Sequence, residues 1–399
     1  MPKRSLVLSG SSLAALLVAA HAVNDSFSGM LAALLPTFQA RFGASETVLA
    51  ALVATLSFSA SVTQPVFGAL ADRLGRRLVG ALGVVASSAL LSLMGVTDSL
   101  WLLFGLLLIG GLGSAAFHPS GTSMARAAAT TSPGIKSGVA VGIFSAGGTA
   151  GMAFGPLLIG FFVINDILQF TPWLMVPGLV LGVLLYVLVP VQERAARANR
   201  PKLFDAALFA GPVGVLCLAG ILRSIAWVTL LNGAPLWLVQ ERGLMASSPT
   251  IFWTLAVFSF FGGLGGIVGG MLERRLGREA LIAGSMLLAL VPLYALFVLP
   301  PGSVAYFTVV ALAGALVNGG LPLMVVSAQD LAPNAMGTAS GMLMGLTWGT
   351  AGLIYILIGS LQEAIGVGPA MALAFSTLVP GAFLALRVLR GNVEALTAD

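Results

Sequence analysis

The sequence has little charge, one cysteine and only two histidines. Charged residues make up 8% of its 399 positions, whereas hydrophobic residues make up 58%. A soluble domain carries charge at roughly a quarter of its positions, so the exterior of this chain must largely face lipid. The single Cys217 excludes an intrachain disulfide, and so few thiols and imidazoles argue against a metal cage. We therefore expect no metal, no cofactor and a chain that lies in a bilayer.

The net charge of +5 lies in short clusters between apolar runs. This is the arrangement that membrane topology requires, so we expect no nucleic-acid partner. If the N-terminus is cytoplasmic, sixteen Lys and Arg fall on one side and only Arg41 and Arg242 on the other. The excess predicts that both termini are cytoplasmic in a bacterial-type inner membrane. Lys3, Arg4 and the following apolar run imitate a signal peptide, but the run continues through Leu35 and predicts a span.

Twelve apolar runs are long enough to cross a bilayer. They lie near 11–37, 46–68, 78–97, 100–124, 137–163, 171–190, 206–238, 249–272, 280–299, 302–328, 337–360 and 367–389. The longest polar stretch between them, 191–202, reads as a solvated linker. The predicted fold class is thus an all-α membrane protein with twelve transmembrane helices. We expect two six-helix bundles, 1–190 and 206–399, joined by a cytoplasmic linker at 191–205.

The two predicted bundles share three landmarks in the same order. Residues 68–73 return as 269–274 after 201 residues, whereas 137–142 and Pro119 return as 340–345 and Pro322 after 203 residues. Three matches at nearly one spacing are hard to obtain by chance. They predict a pseudo-symmetric pair of parallel repeats, an organisation used by secondary transporters.

The loop after the second predicted span reads GALADRLGRR over residues 68–77. It resembles the G-x-L-x-D-R-x-G-R-R/K signature between spans two and three of the major facilitator superfamily. The resemblance implies the fold of that superfamily and a latch between the bundles on the cytoplasmic side. Physically, glycines permit a tight turn, and the aspartate can pair with a neighbouring arginine or a facing helix terminus. The predicted gate comprises Gly68, Asp72, Arg73, Gly75, Arg76, Arg77, Glu273 and Arg274. The alternative is a charge cluster that only sets topology.

Four ionisable residues fall inside the predicted spans: His21, Asp25, His118 and Arg223. A charge at the bilayer centre costs at least roughly 2.5–3.5 kcal/mol on insertion scales, so its retention suggests a function. His21, Asn24, Asp25 and Ser28 recur at i, i+3, i+4 and i+7, which places them in one polar stripe on the first span. The stripe should face the bundle interior or a water-filled cavity.

The fourth and seventh spans also carry polar residues. Ser114, His118 and Thr122 form a second stripe, which Pro119 should bend. The repeat offset places Arg223 at the depth of the first stripe, so an Asp25–Arg223 contact is feasible. The segment 232–235, Asn-Gly-Ala-Pro, is expected to interrupt the seventh span. The predicted substrate-binding residues are Arg223, Asn24, Ser28, Trp227, Asn232 and Asn318, and the predicted proton-coupling residues are Asp25, His118 and His21.

Two further motifs narrow the resemblance. His21-Ala22-Val23-Asn24-Asp25 with a later Leu-Pro, and Phe117-His118-Pro119-Ser120-Gly121, look like the H-x-x-N-D…L-P and F-H-P-x-G patterns of fosmidomycin-resistance-like transporters. The resemblance extends over the length and layout of the chain. It implies efflux of a drug or metabolite driven by protons.

The fifth span approximates an antiporter motif, G-x-x-x-G-P-x-x-G-G. Gly151, Gly155 and Pro156 match it, but Ile159 replaces one member of the final glycine pair. The resemblance implies export by exchange, and the departure weakens that implication. Gly148, Gly151, Gly349 and Gly352 are expected first of all to pack helices.

We predict a secondary transporter that works by alternating access and is not an enzyme. It would export a small drug or anionic metabolite against protons, with Asp25 and His118 as proton carriers and Arg223 binding an anionic group. If substrate and Asp25 compete for Arg223, binding of one releases the other. The expected partners are the substrate, protons and the lipid bilayer, and the chain is expected to be a monomer.

Three alternatives remain open from sequence. The first is import or uniport of an organic anion. The second is a non-transporting scaffold, receptor or intramembrane enzyme, which short loops and the absence of H-E-x-x-H, G-x-S-x-G and P-loop motifs disfavour. The third assigns the polar residues to structure: a packing pair of Asp25 and Arg223, His118 bonded to a carbonyl of its bent helix, and His21 bonded within its stripe.

Overall fold

The structure is a computed structural model that describes residues 10–130, 137–190 and 206–397. These residues are helical nearly throughout and contain no strand. The predicted linker at 191–205 lies outside the described residues, as do Lys3, Arg4 and Lys136.

The first half of the chain forms seven α-helices and three short helical segments. They are α1 Gly10–Phe42, α2 Glu46–Ser57, a π-helical turn Phe58–Val62, α3 Gln64–Leu74, α4 Arg76–Leu91, a 3-10 turn Ser92–Gly95, α5 Leu100–Thr130, α6 Ser137–Ile164, a 3-10 segment Leu168–Leu174 and α7 Met175–Leu188.

The second half forms ten α-helices and two short segments. They are α8 Ala206–Ala210, α9 Pro212–Gln240, α10 Pro249–Leu276, α11 Arg278–Ala295, α12 Val304–Gly319, α13 Leu321–Leu331, a 3-10 turn Pro333–Ala335, α14 Met336–Gly341, a π-helical turn Met342–Leu346, α15 Thr347–Ile365, α16 Val367–Phe375 and α17 Leu378–Thr397.

The helices account for the twelve predicted spans. Among the described residues, ten helical segments are long and apolar enough to cross a bilayer, and α2 with α3 forms an eleventh that is bent by 41°. The bend lies at the π-helical turn and at Pro65, both recognised causes of kinks. The twelfth is α1, whose 33 residues exceed the length that a bilayer needs. Its polar stripe makes it less apolar than the other spans.

The chain forms two compact units. Unit 1 comprises the described parts of 1–34 and 58–200, and unit 2 comprises those of 35–57 and 201–399. Residues 35–57 therefore pack with unit 2, although the predicted boundaries assign them to the N-terminal bundle. The predicted bundle boundaries themselves stay a prediction.

Glycines allow the helices of unit 1 to pack at backbone distance. A Cβ on Gly83 of α4 would lie 2.6 Å from the carbonyl oxygen of Gly113 on α5. A Cβ on Gly151 or Gly155 of α6 would overlap the backbone of α1 at Ala22 or Ser26. This is the small-residue packing expected where lipid supplies no hydrophobic drive between helices. It fixes α1 against α6 at the depth of the polar stripe.

In unit 2, α9 is central and buried over most of its length. The predicted interruption at 232–235 is wrong, because α9 continues through Pro235 to Gln240. In a bilayer the backbone must satisfy its own hydrogen bonds, and a helix tolerates proline when neighbouring helices surround it. The side chain of Asn232 donates to the carbonyl of Val228 at 2.8 Å, which ties it to its own helix.

Candidate functional site

The structure brings together the three ionisable residues of unit 1. Nε2 of His21 lies 3.2 Å from Oδ2 of Asp25, and Nε2 of His118 lies 3.2 Å from Oδ1. Each carboxylate oxygen of Asp25 therefore contacts one histidine. His21 lies on the same helix, α1, and His118 lies on α5. The side chains are mostly buried, at 14% exposure for Asp25, 8% for His21 and 25% for His118. We call these residues the His–Asp–His cluster.

Backbone carbonyls fix the orientation of both rings. Nδ1 of His21 lies 2.7 Å from the carbonyl oxygen of Phe144, and Nδ1 of His118 lies 2.8 Å from that of Ser114. Because a carbonyl oxygen only accepts, each Nδ1 must carry the hydrogen and donate it. Each Nε2 then faces the carboxylate, and a hydrogen bond there requires a further proton on the ring or on the acid. His118 also bonds a carbonyl of its own helix, which is one of the structural roles expected for it.

Asn24 supports the carboxylate from the buried side. Its Nδ2 donates to Oδ1 of Asp25 at 2.9 Å and to Oγ of Ser114 at 2.8 Å, and its Oδ1 accepts from Oγ of Ser87 at 2.7 Å. These contacts tie α1 to α4 and α5, and Asn24 is fully buried. This geometry leaves no amide group free for a substrate, so Asn24 acts here as a positioning residue. Ser28, farther along the stripe, is half-buried.

Aromatic rings and a glycine enclose His21. Its ring stacks on Phe144 of α6 at 4.1 Å between centroids, and it meets Phe117 edge to face at 5.8 Å between centroids. A Cβ on Gly148 would stand 2.5 Å from Nε2 of His21. Only a residue without a side chain therefore fits at position 148. The sequence did not predict three members of the site, namely Phe144, Ser87 and Gly148. The position of a residue within one span does not show which neighbouring span it contacts.

The cluster is also the one group of three possible metal ligands among the described residues, with donor atoms within 4.8 Å of one another. Two histidines and a carboxylate are a donor set that divalent metals accept. Both N–O distances of 3.2 Å are also within the range of hydrogen bonds, so the close approach of these groups does not require a metal.

Unit 2 contains a buried cation. Arg223 of α9 is 1% exposed. Its Nη1 donates to Oδ1 of Asn318 at 2.9 Å, and its Nη2 donates to Oγ of Ser224 at 2.9 Å. Its guanidinium carbon lies 5.4 Å from the ring centre of Trp348. Within the part of the chain that the structure describes, Arg223 forms no ion pair.

Two of the other substrate-binding residues predicted in unit 2 lie around this cation. Asn318 contacts it directly, and Trp227 packs between Phe258 and Trp348, with centroids 4.4 and 5.7 Å away. Asn232 lies two turns farther along α9. Trp348 was not predicted as a site residue. Its position could have indicated it, because Trp348 lies near the middle of its predicted span, whereas tryptophans that anchor a helix at the membrane interface lie near the span ends. The predicted Asp25–Arg223 pair joins residues of different units and stays a prediction.

The predicted gate residues of unit 1 surround the end of α3. Nε and Nη2 of Arg76 donate to Oδ1 of Asp72 at 3.2 and 3.0 Å. Gly75, between α3 and α4, has a φ of 105°, which residues other than glycine rarely adopt. Arg77 donates to the carbonyl of Val189 at 3.3 Å and stacks over Tyr186. Arg73 is exposed, and Gly68 is half-buried beside Pro119.

The corresponding turn of unit 2 is held by a different arginine. Arg278 donates to Glu273 at 2.7 Å and to Asp330 at 2.6 Å, whereas the predicted Arg274 is exposed. Arg278 and Asp330 were not predicted for the gate, because the repeat aligned only 269–274. The latch role of both turns stays a prediction.

The chain is similar to known proteins over most of its length. The model of the Major Facilitator Superfamily matches residues 17–356. An MFS-type transporter of Bacillus subtilis (strain 168), YfnC, is 28% identical over 384 residues, covering 89% of this chain and 88% of that protein. The fosmidomycin resistance protein of Escherichia coli (strain K12) is 25% identical over 357 residues, covering 86% and 84%.

A solved structure gives the same fold. The nucleoside transporter NupG, solved as a point mutant, superposes with a TM-score of 0.79 at 15% identity and covers 94% of this chain and 99% of its own. The predicted all-α, multi-span fold and the resemblance to fosmidomycin-resistance-like transporters are therefore confirmed. From this match and these relatives, the chain belongs to the Major Facilitator Superfamily and is a membrane transporter, not an enzyme.

Proposed function

We propose that this transporter exports a small drug or an anionic metabolite in exchange for protons by alternating access. It acts as a monomer in a bacterial-type cytoplasmic membrane, with both termini in the cytoplasm. The observation that carries the proposal is Asp25 bonded on both carboxylate oxygens by histidines whose opposite nitrogens are committed to backbone carbonyls.

This arrangement defines a store for protons. With one hydrogen on each Nδ1 and an ionised carboxylate, the cluster carries one negative charge, and both Nε2 lone pairs face oxygens. One added proton makes it neutral and completes one hydrogen bond, and a second completes the other and leaves one positive charge. A buried charge is costly in a bilayer, whereas the neutral cluster is not. Uptake and release of one proton therefore changes the energy of this region strongly.

The proton gradient can drive export through such a site. Each pH unit supplies about 1.4 kcal/mol per proton, and each 100 mV supplies about 2.3 kcal/mol per charge. An anion bound at Arg223 cancels a buried positive charge in unit 2, and a proton on Asp25 cancels a negative charge in unit 1. Exchange requires the protein to change conformation with the anion bound or with the proton bound, but not with both, so binding of one ligand must disfavour binding of the other.

The direction of transport is supported by similarity and by packing. The similar protein of Escherichia coli is named for resistance to a drug, and export is the simplest way for a transporter to confer resistance. Gly151 and Gly155 match the antiporter motif. They contact the backbone of α1 at Ala22 and Ser26, on either side of Asp25. Helix α6 therefore holds the proton site in place.

Proteoliposomes test this function. Purified protein is reconstituted with a pH-sensitive dye inside, and proton movement is recorded when fosmidomycin or another candidate substrate is added. Asp25→Asn should abolish substrate-dependent proton movement, because the neutral amide cannot take up a proton. Asp98→Asn, at an exposed loop carboxylate, is the matched control and should behave like the wild type. Wild-type exchange in Asp25→Asn would refute Asp25 as the carrier.

The second candidate is import or uniport of an organic anion. It is favoured by Ile159, which departs from the antiporter motif. Counterflow measured under pH gradients of both signs separates the two. An antiporter accumulates substrate on the more acidic side, a proton symporter on the more alkaline side, and a uniporter of a fully ionised anion on neither.

A further inference from the structure

We infer that Arg223, with Asn318 and Trp348, forms a preorganised fork for one oxyanion group of the substrate. Two oxygens of that group would accept side-on from Nε and Nη2 of the guanidinium. The inference rests on the proposed function, because it names the chemical class of the substrate: small organic molecules that bear a carboxylate, phosphonate or sulfonate.

The hydrogen bonds of Arg223 leave one edge of its guanidinium open. Nη1 is occupied by Oδ1 of Asn318 at 2.9 Å, with the carbonyl of Val317 at 3.5 Å, and Nη2 gives one hydrogen to Ser224. The Nε–H is buried and has no partner. Nε and Nη2 form the side-on edge of the guanidinium, which matches two oxygens of a carboxylate or phosphonate. A buried donor without a partner is rare and marks a place where a ligand can bind.

Neighbouring residues hold the guanidinium in a fixed plane. Oδ1 of Asn318 accepts from it, while Nδ2 of the same amide donates to the carbonyl of Gly262 at 3.0 Å. The amide is thereby locked in one orientation. The ring of Trp348 lies 5.4 Å away and contributes a cation–π contact. Because the fork is fixed before binding, little conformational freedom is lost when an anion arrives.

The charge balance requires an anion. Arg223 is 1% exposed, and no carboxylate among the described residues lies within ion-pair distance of it. A buried unpaired cation is strongly unfavourable, and an anionic ligand removes that penalty. Trp227, whose ring meets that of Trp348, offers a second buried donor without a partner at Nε1.

Asn318 provides the most direct test, because aspartate has the same shape as asparagine. Asn318→Asp places a carboxylate against Nη1, so the protein supplies its own counter-ion. Because this counter-ion neutralises the guanidinium and repels a second anion, the variant should bind oxyanions at least about tenfold more weakly, a loss equal in size to one charge-assisted hydrogen bond. Arg223→Lys keeps the charge but removes the fork, and should weaken binding by a similar factor. Arg242→Lys is the control, because Arg242 donates to the carbonyls of Phe297 and Leu299 and lies over the ring of Trp237, away from Arg223.

The measurement is calorimetric titration of purified protein in detergent at constant pH, with benzoate, phenylphosphonate and benzenesulfonate as probes. Benzamide and benzylamine are the neutral and cationic controls. We expect one or more of the anions to bind and neither control to bind. The inference is overturned if no anion binds at millimolar concentration, if benzamide binds as tightly as benzoate, or if Asn318→Asp retains wild-type affinity.

Failure of this inference is distinguishable from failure of the proposed function. Binding in detergent needs neither a proton gradient nor Asp25, so Asp25→Asn should still bind the anions. Proton-coupled transport of a neutral substrate would uphold the exchange mechanism and refute the fork. If the protein bound anions but moved no protons, the fork would be supported and the exchange mechanism refuted.

Discussion

Gly148 of α6 lies directly against the carboxylate of Asp25 on α1. A Cβ at this glycine would stand 2.6 Å from Oδ2 of Asp25 and 2.5 Å from Nε2 of His21, closer than real Cβ atoms approach such groups. The hydrogen bond between His21 and Asp25, both on α1, therefore depends on a second helix that supplies no side chain at this point. The glycine contributes to the chemistry of the site by its size.

Gly148→Ala should consequently separate His21 from Asp25 while leaving the fold intact. The added methyl group must displace either the imidazole or the carboxylate, and both belong to the His–Asp–His cluster. We expect substrate-dependent proton movement in proteoliposomes to fall at least about tenfold, the effect of one lost charged hydrogen bond. The thermal unfolding temperature should change little by comparison.

Gly142→Ala is the matched control for this prediction. It lies on the same helix, and a Cβ there would meet no atom within 4 Å. Its transport should equal that of the wild type. Equal transport by both alanine variants would show that the contact between His21 and Asp25 is not needed for coupling.

The sequence alone predicted part of the site in unit 1. The helical spacing of His21 and Asp25 placed them on one face of the first span, and the spacing of His118 placed it on a polar stripe of the fourth span, but neither pattern predicted that the two stripes meet at Asp25. The orientation of the rings depends on the carbonyls of Phe144 and Ser114. Backbone groups carry no sequence signal, so the proton arrangement of the cluster could only come from the structure.

The fold was predictable because the bilayer imposes a length and a polarity on each span. The prediction that α9 is interrupted was wrong for the same reason, because a bilayer favours a continuous helix. Asn232-Gly233-Ala234-Pro235 would break a helix in water, but surrounding helices keep it continuous. The ion pair of Arg278 and Asp330 was missed because it joins the start of α11 to a different helix, α13. The internal repeat shows only which positions of the two halves are equivalent, and no equivalent pair was aligned in the first half.

In unit 2 a similarly close contact joins α2 to α15. A Cβ on Gly359 would stand 2.6 Å from the Cβ of Ala50 and 2.7 Å from the carbonyl oxygen of Glu46. Gly359→Ala should therefore push the helices apart and destabilise the protein by about 1–3 kcal/mol, as overpacking does. The check is thermal unfolding in detergent.

Gly284→Ala on α11 is the control for that destabilisation, because a Cβ there meets nothing within 4 Å. Alanine favours a helix over glycine by roughly 0.5–1 kcal/mol, so this variant should be as stable as the wild type or slightly more stable. If Gly359→Ala were stabilised to the same extent, the close contact between α2 and α15 would be disproved.

Gln240 at the end of α9 joins residues 35–57 to the rest of unit 2. Its Nε2 donates to Oε1 of Gln39 and to Oε1 of Glu46, both at 2.9 Å. Gln240→Glu would place a second carboxylate beside Glu46 and remove both donations. Because these groups are exposed, the loss should be about 1 kcal/mol or less. Backbone amides of α2 should then exchange hydrogen faster in Gln240→Glu than in the neutral control Gln240→Met, and more so at low salt. Equal exchange in the two variants would show that charge at this position does not matter.

The two histidines of the cluster should have different roles, because their surroundings differ. His21 stacks on Phe144 and is 8% exposed, whereas His118 is 25% exposed. We therefore expect protons to reach Asp25 by way of His118, and we expect His21 mainly to hold the carboxylate and the packing of α6. We expect His118→Gln to abolish substrate-dependent proton movement with little change in unfolding temperature. His21→Gln should lower the unfolding temperature more and leave measurable proton movement. Both quantities can be recorded on the same protein preparations, and the reverse order of effects would assign proton entry to His21.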